Sequence, residues 1–190
     1  AQTAAKSGFE QEAQFERALM DTFLLSVPDA VYFKDLESRF VRASISLAHR
    51  VGHDDPNEIV GLSDLDLFSE EHGLQAFADE QEVIRTGQPL LGKIEKETLP
   101  DGRSTWVLTS KLPWRNPAGA IIGTFGISKD ITALKRAEED LQNASDMLQA
   151  LLDNIPDRIY YKNAQSRFTK VGKALVKRLG MTSPDQVIGK

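Results

Sequence analysis

The sequence contains no cysteine among its 190 residues. That excludes disulfide frameworks, thiolate metal sites and cysteine nucleophiles together. It has only three histidines, and none stands in a pattern that supplies a nucleophile, a base and an orienting acid. Paired carboxylates are also missing, because Asp and Glu are scattered along helix surfaces and turns. Gly119, Gly123 and Gly126 are followed by no Gly-Lys-Ser/Thr and fall within a strand pattern, so they form no phosphate loop. These residues are therefore read as non-catalytic. No apolar run approaches the ~20 residues that cross a bilayer, and no charged-then-apolar start marks a signal peptide. The expectation is a cytoplasmic segment with no membrane contact of its own. A net charge of −5 lacks the basic face that a nucleic-acid partner requires. What remains, 41% apolar and 27% charged, is an ordinary globular balance with room for one domain and part of another.

The strongest positive signal is an internal repeat. Shifted by 128 residues, Met20 to Leu62 falls on Leu148 to Lys190 without a gap, and 13 of the 43 pairs are identical. Tyr32 and Lys34 meet Tyr160 and Lys162, and Ser38-Arg39-Phe40 recurs as Ser166-Arg167-Phe168. A period this long marks tandem domains and not a solenoid. The second copy holds roughly the first third of its unit, and its two strands are expected to stay exposed, pack on a neighbour or swap.

Helix is expected over 8–26, with Phe9, Ala13, Met20, Phe23 and Val27 at heptad-like spacing, ended by Pro28. Strands at 30–34 and 39–43 form a hairpin, and a short helix from Ile45 stops at Gly52. Ser69 caps a longer helix that Gly87 ends, with Leu74, Phe77 and Ile84 on its inner side. Three strands follow at 90–98, 104–113 and 120–128, separated by turn-like Pro100-Asp101-Gly102 and Asn116-Pro117-Ala118-Gly119. In the middle strand Trp106, Leu108, Ser110 and Leu112 alternate with Thr105, Val107, Thr109 and Lys111, and the first set is assigned to the core.

The cleanest periodicity runs from 131 to 155. Leu134, Leu141, Leu148 and Ile155 repeat every seven residues, with Ala137, Ala144 and Leu151 in the complementary positions. Such a seam favours a parallel homodimer. Asp130 is placed to cap this helix directly after the last strand. A shift of the strand must then pull on Asp130, Ile131, Thr132 and the helix beyond.

This order of elements resembles a PAS domain. Specific residues carry the resemblance: Val27-Pro28-Asp29-Ala30-Val31-Tyr32-Phe33-Lys34-Asp35 at the opening strand, and Gly123 to Thr132 at the last strand with its Asp-Ile-Thr junction. Leu134-Lys135-Arg136-Ala137-Glu138 resembles the opening of the linker helix that follows. The resemblance implies an α+β fold, a five-stranded antiparallel sheet with helices on one face, flanked by N-terminal and C-terminal amphipathic helices. The expected division is an N-terminal helix (1–26), a complete PAS domain (27–130), a coiled-coil linker (131–155) and the start of a second PAS domain (156–190). It also implies a bacterial signalling role with a downstream output domain, often a histidine kinase or a cyclic-dinucleotide enzyme.

The candidate ligand pocket is lined by Tyr32, Phe40, Leu47, Phe68, Phe77, Ile84, Trp106, Leu108, Ser110, Leu112, Phe125 and Ile127. A mainly apolar cavity with a few polar atoms suits a small organic ligand, and a filled hydrophobic core needs the same residue types. Either a ligand-responsive relay or a ligand-free dimerisation spacer fits. Some PAS domains bind haem through a histidine on the long helix, but His72 falls in its first turn and is expected to face solvent. Non-covalent flavin, with Trp106 as a wall, is a further alternative. His49 and His53 are four apart, yet Gly52 ends the helix between them, so an exposed polar helix end is preferred to a metal site.

Overall fold

The computed structural model describes residues 2–190, with side chains from Gln11 onward. Phe9, named in the first helical pattern, therefore lies outside the described side chains. The chain divides into two compact units, 1–133 and 134–190. No helix among the described residues is long and apolar enough to cross a membrane.

The first unit opens with α1 (Gln2–Ser26), which Pro28 ends, and continues as β1 (Ala30–Lys34) and β2 (Phe40–Ala43). Asp35 makes the reversal between these strands, its Oδ1 accepting from the backbone N–H of Glu37 and Arg39 at 3.0 and 2.8 Å. Three short elements follow: α2 (Ile45–Arg50), a 3₁₀ turn (Pro56–Ile59) and α3 (Asp64–Leu67). The longer α4 (Glu70–Thr86) is capped by Ser69 and ends at Gly87, whose φ of +67° is the left-handed conformation that glycine adopts without strain. Strands β3 (Leu90–Thr98), β4 (Ser104–Arg115) and β5 (Ile121–Asp130) complete a five-stranded antiparallel sheet of order β2-β1-β5-β4-β3.

The short helices pack against one face of this sheet. Ala30, Tyr32, Phe40, Ala43, Leu47, Ile59, Leu67 and Phe68 are buried together there, each large side chain contributing about 1.5–3 kcal/mol by leaving water. Facing follows from the register. Tyr32 lies opposite Gly126 and Lys111 also lies opposite Gly126, while Phe33 and Leu112 lie opposite Phe125. Residues directly opposite share a face. Hence Tyr32, Lys34, Thr109, Lys111, Thr124 and Ser128 face the helices, and Phe33, Leu112, Phe125 and Ile127 face away.

The second unit contains most of α5 (Thr132–Asn154), then β6 (Tyr160–Lys162), β7 (Phe168–Val171), α6 (Lys173–Arg178) and a 3₁₀ turn (Pro184–Gln186). The pairs Tyr160/Val171, Tyr161/Lys170 and Lys162/Phe168 reproduce Tyr32/Ala43, Phe33/Arg42 and Lys34/Phe40 at the 128-residue offset. Ser38 and Ser166 share φ values of 60° and 59°. A small core of Val171, Leu175, Val176 and Val187, with Phe168 beside it, holds this unit together.

Candidate functional site

The inner face of the sheet carries charge where an apolar cavity was expected. Lys34, on β1, projects between the side chains of α3 and α4. Its Nζ donates to Asp64, and to Glu80 Oε1 at 2.7 Å. Lys111, on β4, donates to the same Glu80 oxygen at 3.1 Å and to the carbonyl of Ala76 at 3.0 Å. Lys34 is 1% exposed, Lys111 2% and Glu80 0%. Two cations and two anions therefore balance inside the fold, the arrangement that buried charges require. Burial alone would depress the Lys34 ammonium, but Asp64 and Glu80 more than offset it and hold its pKa above the ordinary value. Burial, helped by the Glu80 charge, pushes the Tyr32 phenol well up, so it stays neutral.

Aromatic rings complete the lysine's surroundings. Nζ of Lys34 lies 4.3 Å from the Phe40 ring centre and 5.0 Å from that of Tyr32, within cation–π range. The second unit repeats this, with Lys162 Nζ 4.3 Å from Phe168 and 5.9 Å from Tyr160.

From this network a polar row follows the sheet toward its exit. Thr109 and Ser128 join hydroxyls at 2.9 Å. Arg50, on α2, reaches the Ser128 carbonyl at 3.3 Å and Glu97 Oε2 at 2.9 Å. Burial raises the Glu97 pKa, with Arg50 opposing part of the rise. Two residues past Ser128 the chain turns into α5. Asp130 Oδ1 accepts from the N–H of Thr132 at 2.8 Å, as a helix cap does. Ile131 N–H donates to the Trp106 carbonyl at 2.8 Å, and Thr132 Oγ1 accepts from the Trp106 N–H at 2.9 Å. The helix start is thus fastened to β4 as well as continuous with β5.

The structure divides the expected pocket residues. Tyr32, Phe40, Leu47 and Phe68 come together in the core. Trp106, Leu108, Ser110, Leu112, Phe125 and Ile127 do not join them, because they occupy the opposite face of the sheet. Trp106 and Leu108 are each 37% exposed. Weighing the two alternating sets of β4 by apolar bulk selected the wrong one: Val107, Thr109 and Lys111 point inward, and Glu80 makes the buried lysine tolerable. On α4 the inner residues are His72, Ala76, Glu80 and Val83, spaced as one helical face, while Leu74 and Phe77 are exposed and Ile84 half-buried. The one sequence signal for the network was the recurrence of Lys34 as Lys162, between the recurring Tyr and Phe positions.

His72 is also corrected, being buried where an exposed ring was expected. Burial lowers its pKa from an ordinary 6.5. The unfolded chain then gains a proton near that pH that the folded chain gains only lower. Stability is expected to fall as pH drops from 6.5 toward the depressed value. Urea denaturation from neutral to mildly acidic pH should show His72→Asn flattening this part of the profile, and an unchanged slope would contradict it. His53, by contrast, meets Glu58 at 2.8 Å at the surface. Four buried charged side chains, Lys34, Asp64, Glu80 and Lys111, thus occupy this part of the inner face.

The seam residues of α5 leave apolar surface open. Leu134, Ala137, Leu141, Ala144 and Leu151 are exposed, and Leu148 and, just past the helix end, Ile155 half-buried; the buried leucine of α5 is Leu152.

Comparison with known proteins agrees with the architecture. A family model described as the PAS fold matches residues 24–136. The aerobic respiration control sensor protein ArcB of Escherichia coli K12 is 26% identical over 136 residues, covering 72% of this chain and 17% of ArcB. The methanogenesis regulatory histidine kinase FilI of Methanothrix harundinacea is 25% identical over 142 residues, covering 75% of this chain and 16% of FilI. The chain thus spans about a sixth of the length of these relatives. A solved PAS domain from Colwellia psychrerythraea superposes with a TM-score of 0.52 at 16% identity, covering 64% of this chain and 98% of that one.

Proposed function

The chain belongs to the PAS-fold family, and from that premise we propose that residues 27–130 are a sensing and relay module that passes its state to a dimeric signalling helix. The observation that carries the proposal is the junction. Strand β5 enters α5 without a loop, and the Trp106 backbone on β4 holds the first turn through two hydrogen bonds, one to the Ile131 N–H and one to the Thr132 hydroxyl. Any displacement of β4 against β5 changes the direction or rotation of the helix. The helix in turn presents an apolar seven-residue repeat suited to pairing with a second copy. The kinase relatives support a signalling role, and the output domain, a histidine kinase or a cyclic-dinucleotide enzyme, is proposed for the longer protein. Residues 156–190 are read as the start of a second module in the same helical phase.

A second reading, a ligand-free dimerisation spacer, is favoured by the ion network that occupies the inner face. Both readings require the α5 seam. Replacing Leu141 and Leu148 with glutamine should convert a dimeric fragment to monomer in sedimentation velocity. Leu141 is 73% exposed, so its replacement leaves the fold intact, and circular dichroism checks the same for the half-buried Leu148. An unchanged dimer, or a monomeric starting protein, would overturn the seam as the pairing surface.

A further inference from the structure

The outer face of the sheet, turned away from the short helices, is apolar in its middle and basic at one side. Phe33 and Trp114 meet there edge-on, 5.6 Å between ring centroids. Ile94, Trp106, Leu108 and Ile127 continue the surface and are 37–50% exposed. Lys96 lies opposite Trp106 and Lys129 opposite Leu108, so both ammonium groups stand on this face. The acidic residues of the sheet do not. Glu95 and Asp130 lie opposite Val107, and Glu97 opposite Thr105, which places them on the inner side. A chain of net charge −5 thus keeps its acids off one exposed apolar surface.

Helix α1 carries the complementary pattern. Phe15, Leu19 and Phe23 recur every four residues and are 70%, 62% and 47% exposed. At about 100° per residue, Glu12 and Glu16 fall among them and Arg17 on the opposite side. Leu24, also on that far side, is buried within the unit. The Asp21–Arg42 ion pair, and the Val27 carbonyl accepting from the Ser46 hydroxyl, hold the helix end in place. The acidic apolar stripe therefore faces away from the unit that carries it.

We infer that this stripe docks on the outer sheet face of a second copy of the chain. Phe15, Leu19 and Phe23 then cover Trp106, Leu108 and Ile127, with the Glu12 and Glu16 carboxylates beside Lys96 and Lys129. Two outer faces set against each other would instead bring like charges together. Three side chains cover little of the ~800 Å² per partner that a stable interface buries. The contact therefore forms within a dimer that the α5 seam pairs, and it rests on that reading. Position favours it, since Trp106 fastens the first turn of α5 and the face ends where the seam begins. A partner helix seated on β4 and β5 bears on the two strands that steer α5, which gives the relay an input.

Cysteine pairing tests the contact, because the chain has no cysteine of its own. A Leu19→Cys chain and a Leu108→Cys chain are mixed, oxidised and resolved by mass spectrometry, with the dimer measured by sedimentation velocity. The expected product is a mixed disulfide between the two chains. It should diminish when Glu16→Lys joins Leu19→Cys, and recover when Lys129→Glu joins Leu108→Cys in the partner. Both tryptophans of the chain lie on this face, so acrylamide quenching reads its cover independently. Phe15→Gln with Leu19→Gln should open them to the quencher while the dimer persists. A dimer that gives no mixed disulfide, or tryptophans indifferent to the α1 variant, would overturn the docking and leave the seam standing. So would a Leu108→Cys chain that pairs with itself in preference to the mixed product, or closure within a single chain carrying both cysteines. A protein monomeric throughout would overturn both readings.

Discussion

Glu80→Ala is expected to cost the first unit about 3–5 kcal/mol of folding stability, the range for removing one partner of a buried ion pair. Glu80 is fully buried and serves two lysines. After its removal Lys34 keeps Asp64, but Lys111 keeps only the Ala76 carbonyl. An ammonium with no carboxylate would then lie in a space closed to water. Such a loss takes a large share of the 5–15 kcal/mol that a domain ordinarily has. Urea denaturation followed by circular dichroism measures it directly.

Charge balance sharpens the test. Replacing Glu80 and Lys111 together with apolar residues of similar volume removes one anion and one cation, leaving the Lys34–Asp64 pair neutral. The double variant should therefore be markedly more stable than Glu80→Ala alone, because uncompensated charge is the costly state and not the loss of the pair. A loss below about 1 kcal/mol for Glu80→Ala, or additive effects in the double variant, would show that the network does not govern stability.

The same network explains what was legible beforehand. Strands, turns and caps are encoded by neighbours in sequence, and the expected strands at 30–34, 90–98 and 104–113 match β1, β3 and β4 closely. The caps Ser69, Gly87 and Asp130 read correctly because each acts within a few residues. The inner face did not read correctly, since it depends on partners far apart in the chain. Lys34 and Glu80 are 46 residues apart, and Glu80 and Lys111 are 31. Without its acids Lys111 looks like an outward residue, and Trp106 and Leu108 like core. Once β4 was turned by one residue, every side chain assigned from it moved to the other face. His72 was misread for a related reason: a first-turn position says little about burial until β3 is placed beside it.

Gly123→Ala is expected to be nearly as damaging, for reasons of space and not of charge. A Cβ at Gly123 would lie 1.9 Å from the carbonyl oxygen of Lys34 and 3.1 Å from the Cα of Asp35. Both obstacles are backbone, and a φ of +157° adds strain for any residue with a side chain. Relief requires moving the end of β1 off β5, yet Lys34 is anchored by its own ammonium to Asp64 and Glu80. Gly126 provides the contrast. A Cβ there would meet the far end of the Tyr32 ring at 2.4 Å, and a side chain can shift within the core more readily than backbone. Gly123→Ala should therefore cost on the order of 3 kcal/mol or more, and Gly126→Ala distinctly less. Because Gly123 precedes the β5 segment that leads into Asp130, the variant should also speed amide exchange at Ile131 and Thr132. Equal costs at the two glycines, or unchanged exchange at the junction in a destabilised Gly123→Ala protein, would separate the β1–β5 contact from the helix exit and break the link proposed between core and relay.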